Sequence, residues 1–478
     1  MEKTSLTVIV PVFNEEYLVE QSLKRLFVLK ENPLLSNIQV IIVNDHSSDR
    51  TEEALNKFAL TLRNDDSAMN WKFISHEKNY GKGRAIRTAL KYAENEITVI
   101  HDADLEYHPK DILRMIPLFL SEGADAVYGS RFFSHDFRRI LMFRHQLGNK
   151  FLTFISNLVS NLNLSDMETC YKAVKTSLIK SIPLISNDFR IEPELTIKLA
   201  KRKAKIFEIP ISYSGRTYSE GKKINWRDGF KAIGAIIRFG FTDNIFNEDE
   251  FGSQILSRLS RAQNFNLWLA ETVSPYVGKK VLEIGAGIGN LTLKLTPRQE
   301  YHATDINPLY LQIIENLQHN KPYLKVSFLD VNDTTGLTAT NNIYDTIICL
   351  NVIEHVENDS LALRNIANLL EKGGKAIIMV PKGQWLYGSL DKVLGHKRRY
   401  SEKLLYDLAH QTGFKIAKLI YFNKISTLPW YFNGKILKRR TFGYWQILIM
   451  DTIIPIAKIF DKIVPMPALS FIAIFEKK

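Results

Sequence analysis

A chain of 478 residues is about three times the usual single-domain size, so two or three hydrophobic cores are expected. Hydrophobic residues at 45%, charged residues at 24%, 24 Gly and 16 Pro describe packed globular domains and exclude a disordered, collagenous or low-complexity protein. Two cysteines, Cys170 and Cys349, exclude a disulfide framework and point to a reducing compartment, while 63 Lys and Arg against 51 Asp and Glu, net +12, suggest an anionic partner.

In chain order, Leu6 to Val12 reads as a first strand rather than the apolar core of a secretory leader. A helical pattern over Tyr17 to Leu29 leads to a strand at Val40 to Val43, which is βαβ order. Further strands are expected at Trp71 to Ile74, Ile97 to His101 and Ala126 to Tyr128, with a helix over Lys82 to Tyr92, giving a mostly parallel sheet. TDNIFNEDEFGS, Thr242 to Ser253, is polar and acidic and is the expected hinge. A second series follows, with strands near Val281 to Ile284, Tyr301 to Thr304, Lys325 to Phe328, Thr346 to Leu350 and Lys375 to Val380. The expected division is residues 1–240, a linker at 241–262, and residues 263–478 ending in a helical extension. No run reaches the ~18 uninterrupted apolar residues of a membrane-spanning helix; Trp445 to Phe475 is broken by Asp451, Pro455, Lys458, Asp461, Lys462, Pro465 and Pro467.

Acids gather where the strands of the first half end, the side on which open α/β sheets bind ligands. Asn14 and Glu15 follow one strand in PVFNEE, Asp45 and Asp49 the next in NDHSSDRT, and Asp102 and Asp104 another in HDADLEYHP. A D-x-D turn can aim both carboxylates at one divalent cation, which in turn holds a diphosphate. Gly81 and Gly83 in NYGKGRA read as a phosphate-cradling loop, or else Lys82 and Arg84 are surface charges.

PVFNEE, NDHSSDRT, NYGKGRAIRTAL, DADLEYHP, YGSRF and YSGRTYSEGKKINWRDG together resemble inverting family 2 glycosyltransferases. Within that family they are similar to polyprenyl-phosphate sugar transferases of the dolichyl-phosphate mannose or glucose synthase type. The resemblance implies a nucleotide sugar of the GDP-mannose or UDP-glucose type, Mg2+ or Mn2+, and a polyprenyl-phosphate or glycolipid acceptor. It implies that Pro11, Asn14, Glu15 and Asp45 surround the nucleobase and ribose, with Lys82 nearby in the nucleotide-sugar site. Asp102 and Asp104 would serve metal and diphosphate, Glu106 would complete the metal shell, and Arg131, Arg144 and Arg216 would face the acceptor phosphate or donor diphosphate.

A lipid phosphate is already ionised at neutral pH and needs no general base. A glycan hydroxyl needs one, for which Glu192 or Glu194 in DFRIEPELTIK is the candidate, unless both acids complement the dipole of the helix they begin. Amphipathic stretches at Arg144 to Leu162 and Trp226 to Phe241 suit either a membrane surface or burial against the sheet.

In VLEIGAGIG, Val281 to Gly289, an apolar strand runs into G-x-G-x-G at the start of a helix, where glycines admit a ligand close to the backbone. Asp305 ends the next strand in HATDIN, placed to accept two ribose hydroxyls, and Asp330 ends the third in SFLD, where an adenine amino group could be read. YDTIICLNVIEHVEND supplies the fourth strand and its loop, and LLEKGGKAIIMVP the turn and fifth strand.

This succession resembles class I S-adenosylmethionine-dependent methyltransferases more than dinucleotide oxidoreductases. By that resemblance Glu283, Gly285, Gly287 and Gly289 bracket the methionine portion, Asp305 holds the ribose, Asp330 the adenine, and Asn351 the sulfonium side. A hydroxyl acceptor would need a base, and Glu354, His355 and His396 are candidates. Arg398, Arg399 and Tyr400 either grip an anionic acceptor or form a charged loop.

The expected fold is α/β, two tandem nucleotide-binding Rossmann-like domains: an A-type glycosyltransferase fold, then a class I methyltransferase fold. The expected function is a bifunctional transferase, with metal-dependent inverting sugar transfer to a polyprenyl phosphate or related acceptor and S-adenosylmethionine-dependent methylation of a glycan or lipid-linked product. Its expected location is cytoplasmic, with peripheral contact at the inner face of a membrane. The alternatives are sugar transfer to a glycan hydroxyl with Glu192 or Glu194 as base, and an RNA-modifying methyltransferase with an accessory domain. The basic residues are scattered and form no aromatic-basic RNA-binding signature, so no nucleic acid is expected.

Overall fold

The first strand, β1 (Thr4–Val12), buries nearly all of its residues, as a parallel strand covered on both faces must. In the computed structural model, which describes residues 3–62, 69–133, 143–215, 226–241, 245, 262–318, 321–333, 343–439 and 444–478, the chain divides into two compact units, Met1–Asn247 and Glu248–Lys478.

The first unit is a seven-stranded sheet of β1, β2 (Leu35–Asn44), β3 (Met69–Ser75), β4 (Ile97–Ile100), β5 (Ala126–Ser130), β6 (Lys172–Lys175) and β7 (Ile206–Pro210). Their order is β3-β2-β1-β4-β6-β5-β7. The strands β1 to β4 run parallel and β7 runs parallel to β5, while β6 is antiparallel to both β4 and β5, so the sheet is mostly parallel, as expected, with one reversed strand among the described residues. The order reverses beside β1, and a crevice opens at the carboxyl ends of β1 and β4.

The second unit holds β8 (Lys280–Ile284), β9 (Glu300–Asp305), β10 (Leu324–Phe328), β11 (Tyr344–Leu350), β12 (Leu370–Pro381), β13 (Phe414–Phe422) and β14 (Ser470–Lys477). They pair in the order β10-β9-β8-β11-β12-β14-β13, with β14 antiparallel to its two neighbours. The switch point falls between β8 and β11, where Ile348 is paired with Glu283 and Cys349 with Ile284.

The expected C-terminal helical extension is therefore only half helical. A helix, Tyr444–Ile463, is followed by the apolar run of β14, which fills the gap between β12 and β13. The two acids of that helix face inward: Asp451 accepts the Asn264 and Phe265 N–H groups at 3.2 and 2.9 Å, and Asp461 accepts the Lys424 N–H. Among the described residues no helix is long and apolar enough to cross a membrane.

Candidate active sites

The crevice of the first unit is a cleft of about 1310 Å³ lined by Pro11, Glu15, Asp45, Lys82, Asp102, Asp104, Glu106, Arg131 and Glu192, among others. Its floor is the turn after β4. Leu105 sits there in the left-handed region (φ 63), a costly conformation for a branched residue, between the two acids. Asp104 Oδ1 accepts the Glu106 N–H at 3.1 Å, and Glu106 Oε2 accepts the Tyr213 hydroxyl at 2.7 Å. The Ser214 N–H donates to the Glu106 carbonyl at 2.9 Å, so residues 213–215 run along the acid turn.

Asp102 is held by a cation of the chain itself. Lys82 Nζ lies 2.9 Å from an Asp102 oxygen and 3.2 Å from Glu192 Oε1, and Glu192 Oε2 lies 2.5 Å from Lys172 Nζ. Charges thus alternate through Asp102, Lys82, Glu192 and Lys172. Burial raises the Asp102 pKa, but the adjacent Lys82 ammonium lowers it further, and the carboxyl ends below its ordinary range. Carboxylate oxygens at Asp104 and Glu106 are the donor set that Mg2+ or Mn2+ prefers, so the turn fits such an ion. Asp102 is already matched by Lys82.

Asp45, 3% exposed, accepts from His76 Nδ1 at 2.7 Å and from the Tyr80 and Gly81 N–H groups at 3.0 and 2.6 Å. It therefore anchors the loop that delivers Lys82. Asn14, at φ 52, accepts the Ser48 N–H at 2.8 Å and is not among the cleft-lining residues.

Gly81 and Gly83 have a packing reason of their own. A Cβ at either would lie 2.5 Å from a backbone carbonyl, of Asn187 and Ser186 respectively. The glycines let the helix Lys82–Leu90 pack against the 186–188 loop, while Gly81 and Lys82 also line the cleft. Arg84 is not a solitary surface charge either, since its guanidinium lies 5.8 Å from the Tyr80 ring centroid.

One of the proposed bases changes. Glu194 accepts the Ile185 and Ser186 N–H groups at 2.9 and 2.7 Å and pairs with Lys198 at 2.6 Å, so it fastens a loop outside the cleft lining. Glu192 lines the cleft and faces a lysine with each oxygen, Lys82 at 3.2 Å and Lys172 at 2.5 Å.

The carboxylate that sequence reasoning missed is Glu168, which lines the cleft with a buried Oε1 that has no hydrogen-bond partner among the described residues. Burial pushes its pKa up to about 7, against the opposing charge of Lys172.

Arg131 is clamped. Its Nε and one terminal nitrogen both lie 2.7 Å from the Asp166 oxygens, and its plane stands 5.2 Å from the Tyr213 ring centroid. Burial lowers its pKa, but the Asp166 carboxylate raises it more and holds the guanidinium charged. Arg144 lies on the helix Phe143–Ser160, though its side chain is outside the described residues, as is Arg216 altogether.

In the second unit the glycine turn after β8 is bound to the end of β9. Gly285 and Ala286 N–H both donate to the Thr304 carbonyl at 2.9 Å, and Gly287 N–H donates to Asp305 Oδ2 at 2.8 Å. Gly285 has φ +75, and a Cβ on it would lie 2.4 Å from Val352 Cγ2, so only glycine fits. Helix begins only at Thr292 (Thr292–Leu295), which leaves Gly285, Gly287 and Gly289 in the preceding turn rather than in a helix start.

Asp305 accepts the Asn307 N–H at 2.9 Å with its other oxygen, and burial raises its pKa. Glu283, 4% exposed, accepts from Thr292 Oγ1 at 2.6 Å and the Tyr301 hydroxyl at 2.9 Å, which makes it a brace for the turn. Asp330 accepts the Asn332 N–H at 2.8 Å. Asn351 sits at φ 55 with its N–H on the Met379 carbonyl at 2.9 Å. A left-handed glycine turn beside an anchored strand-end aspartate fits a nucleoside-bearing methyl donor.

Beyond Asn351, Glu354, His355 and His396 come together, their ligating atoms all within 4.8 Å of one another. Burial pushes His355 down to about 4, so its imidazole is neutral at neutral pH. Arg398 pairs with Asp359 at 3.0 Å and Arg399 with Asp391 at 2.8 Å, so both are committed within the fold.

Residues 7–182 match the family model described as Glycosyl transferase family 2, and residues 255–419 the one described as Methyltransferase domain. The UDP-N-acetylglucosamine--dolichyl-phosphate N-acetylglucosaminyltransferase of Methanococcus voltae is 29% identical over 234 residues, 47% of this chain and 91% of that protein. The dolichol-phosphate mannosyltransferase of Pyrococcus furiosus is 26% identical over 220 residues, 45% of this chain and 58% of that protein. Among solved structures, glucosyl-3-phosphoglycerate synthase from Mycobacterium tuberculosis covers 52% of this chain and 83% of its own at 18% identity, with a TM-score of 0.39.

Proposed function

We propose, from a chain that joins a family 2 glycosyltransferase domain to a methyltransferase domain, that the first transfers a sugar from a nucleotide sugar to a polyprenyl phosphate. The second would methylate a glycan or lipid-linked product. One observation carries the lipid reading. The cleft that holds the acid turn is also lined by Phe143, Phe151 and Phe230, which are 76%, 53% and 68% exposed. With Leu147, Phe154 and Leu158, Phe143 and Phe151 continue an apolar stripe along the helix Phe143–Ser160, and Phe230 comes from the helix Trp226–Gly240. A polar end suits the nucleotide sugar and an apolar end the polyprenyl chain, and the names of the two relatives support this direction.

In this reading Asp104 and Glu106 would hold Mg2+ or Mn2+, which when bound offsets the charge that builds on the departing diphosphate. Lys82 holds Asp102 in place, and the Asp166 clamp fixes Arg131 at the cleft wall. The acceptor phosphate is its own nucleophile. Screening nucleotide sugars for nucleoside diphosphate release, with and without polyprenyl phosphate, tests the assignment. Acceptor-dependent release is expected for at least one donor, and its absence with every donor would sink the reading.

A hydroxyl acceptor is the second reading, favoured by the pKa of Glu168 standing near neutrality. Glu168→Gln separates the two. With a polyprenyl phosphate the rate should stay within about tenfold, whereas loss of a true general base costs about 10²- to 10⁴-fold.

The apolar stripe would rest on the inner face of a membrane. Phe154→Asp should reduce cosedimentation of the chain with lipid vesicles, and unchanged binding would rule out that helix as the contact.

In the second unit the turn at Gly285–Gly289 and Asp305 would hold S-adenosylmethionine, which supplies an electrophilic methyl group. Asp305 places two oriented oxygens at the strand end, so Asp305→Asn is expected to weaken binding by about 1.5–3 kcal/mol, roughly ten- to a hundredfold. Calorimetric titration with S-adenosylmethionine reads this directly, and an unchanged affinity would remove Asp305 from the site.

A further inference from the structure

The loop after β11 makes a single tight turn, Ile353–His355, which drives Glu354 into the interior. Glu354 is 0% exposed, and neither carboxylate oxygen has a hydrogen-bond partner among the described residues. An ionised carboxylate so placed costs several kcal/mol unless a cation meets it. Protonation does not remove the difficulty, because the new hydroxyl would still lack an acceptor.

His396, on the loop that follows the short helix Ser389–Val393, brings Nε2 to 3.9 Å from Glu354 Oε1. Its Nδ1 lies 3.0 Å from Asp391 Oδ1, and Asp391, itself 0% exposed, is fixed by Arg399 Nε at 2.8 Å. Carboxylates that orient the remote nitrogen in this way are the usual partners of metal-binding histidines. Arg399 is spent on Asp391 and on the Lys382 carbonyl at 3.0 Å, so a second ligand for Glu354 must come from elsewhere. The His355 ring stands edge-on to His396 with centroids 5.0 Å apart, and it also faces the Gly395 and Asn351 backbone.

We propose that Glu354, His355 and His396 form a site for a divalent transition-metal ion, with Asp391 as the positioning residue behind His396. Two imidazole nitrogens and one carboxylate suit Zn2+ and its neighbours rather than Mg2+ or Ca2+, and three protein ligands leave a position open. Ligand atoms around an ion at about 2.1 Å stand about 3.4 Å apart, so the trio closes by up to about 1.4 Å at its widest on loading. The site lies just past Asn351 and Val352, the latter touching the glycine turn, and an open position there would take the oxygen of a methyl acceptor and favour its ionised form. That use rests on the methyltransferase reading of this unit; the binding of the ion does not.

The test uses the full, untagged chain, freed of metal and titrated with Co2+ alone while its visible absorption is recorded. A low-coordinate site with imidazole ligands gives intense bands, whereas an all-oxygen site such as the turn at Asp104 gives weak ones. The expected result is a strong spectrum that saturates at one equivalent, disappears on adding Zn2+, persists in Asp104→Asn, and falls at least tenfold in Glu354→Gln and His396→Gln. Circular dichroism establishes that each variant is folded. Should either fail to fold, X-ray absorption of the Zn2+-loaded wild type decides, with two imidazoles expected in the coordination shell. No strong spectrum in the wild type, bands unaffected by the substitutions, or a shell without imidazole would overturn the proposal. Failure of S-adenosylmethionine to bind would instead remove the methyltransferase reading and leave the ion site standing.

Discussion

Asp104→Asn is expected to slow sugar transfer to a polyprenyl phosphate by about three orders of magnitude, about 4 kcal/mol, while leaving S-adenosylmethionine affinity unchanged. The substitution is close to isosteric. Its remaining side-chain oxygen can still accept the Glu106 N–H, so the turn around Leu105 has no reason to unwind. What disappears is a negative charge at the place where, in the proposed reading, a divalent ion and a departing diphosphate would be held. Asp102→Asn should cost less, because Lys82 would keep Glu192 as a partner and remain in the cleft. Initial rates at saturating donor, with product counted in the organic phase, give the measurement. A variant of Asp104 that keeps more than about a tenth of the wild-type rate contradicts the assignment of the acid turn.

Lys172→Met is expected to destabilise the first unit by about 3–5 kcal/mol, since removing one member of a buried ion pair leaves an uncompensated charge behind. Lys172 is 0% exposed, pairs with Glu192 at 2.5 Å, donates to the Thr169 carbonyl and lies 5.1 Å from the Tyr128 ring centroid. Without it, Glu192 keeps only Lys82, which Asp102 already shares. For a unit of this size the loss corresponds to a fall in melting temperature of about 10 °C.

The loss should also depend on pH. Burial raises the Glu168 pKa from an unfolded value near 4.5 to about 7, so its contribution to stability is present below the lower value and is lost as pH rises through the upper one. Lys172 opposes that rise, and deleting it makes the ionised form still less favourable. The variant should therefore differ from the wild type most above pH 7 and least near pH 5. Thermal unfolding of both proteins across this range checks it, and equal shifts at both ends would show that Lys172 and Glu168 do not interact.

The central strands were legible because β-branched, fully apolar runs such as TVIVPV and VIIVN have few other homes. β6 was not, because KAVK is framed by lysines and a lysine ordinarily signals solvent. Lys172 is inside only because Glu192, remote in sequence, neutralises it. The same blindness hid Asp166 and Glu168. Both stand before a strand, in SDMETCYK, whereas the ligand-binding acids of an open α/β sheet are expected after strands. The visible signal was two carboxylates running straight into an apolar Cys-Tyr pair and a lysine.

Gly81 and Gly83 show a different limit. A Gly-x-Gly ahead of a helix looks alike whether it admits a phosphate or another stretch of backbone, and only the carbonyls of Ser186 and Asn187 show the close packing here. In the second unit the strand ends at Gly285 and Asp305 were readable from the apolar runs that stop there, and Asn351 only through the resemblance to methyltransferases. The pairing of β14 between β12 and β13 was not, since nothing local in SFIAIFEK says which edge it joins.

The acceptor of the first unit decides between a lipid-linked and a water-soluble product. Mass spectrometry of the organic phase, after incubating the purified chain with polyprenyl phosphate, Mg2+ and the donor that supports nucleoside diphosphate release, tests that point most directly. One new lipid is expected, heavier than the acceptor by a single sugar residue and absent with Asp104→Asn. Sugar recovered only in water-soluble products, with the polyprenyl phosphate unchanged, would contradict transfer to the lipid.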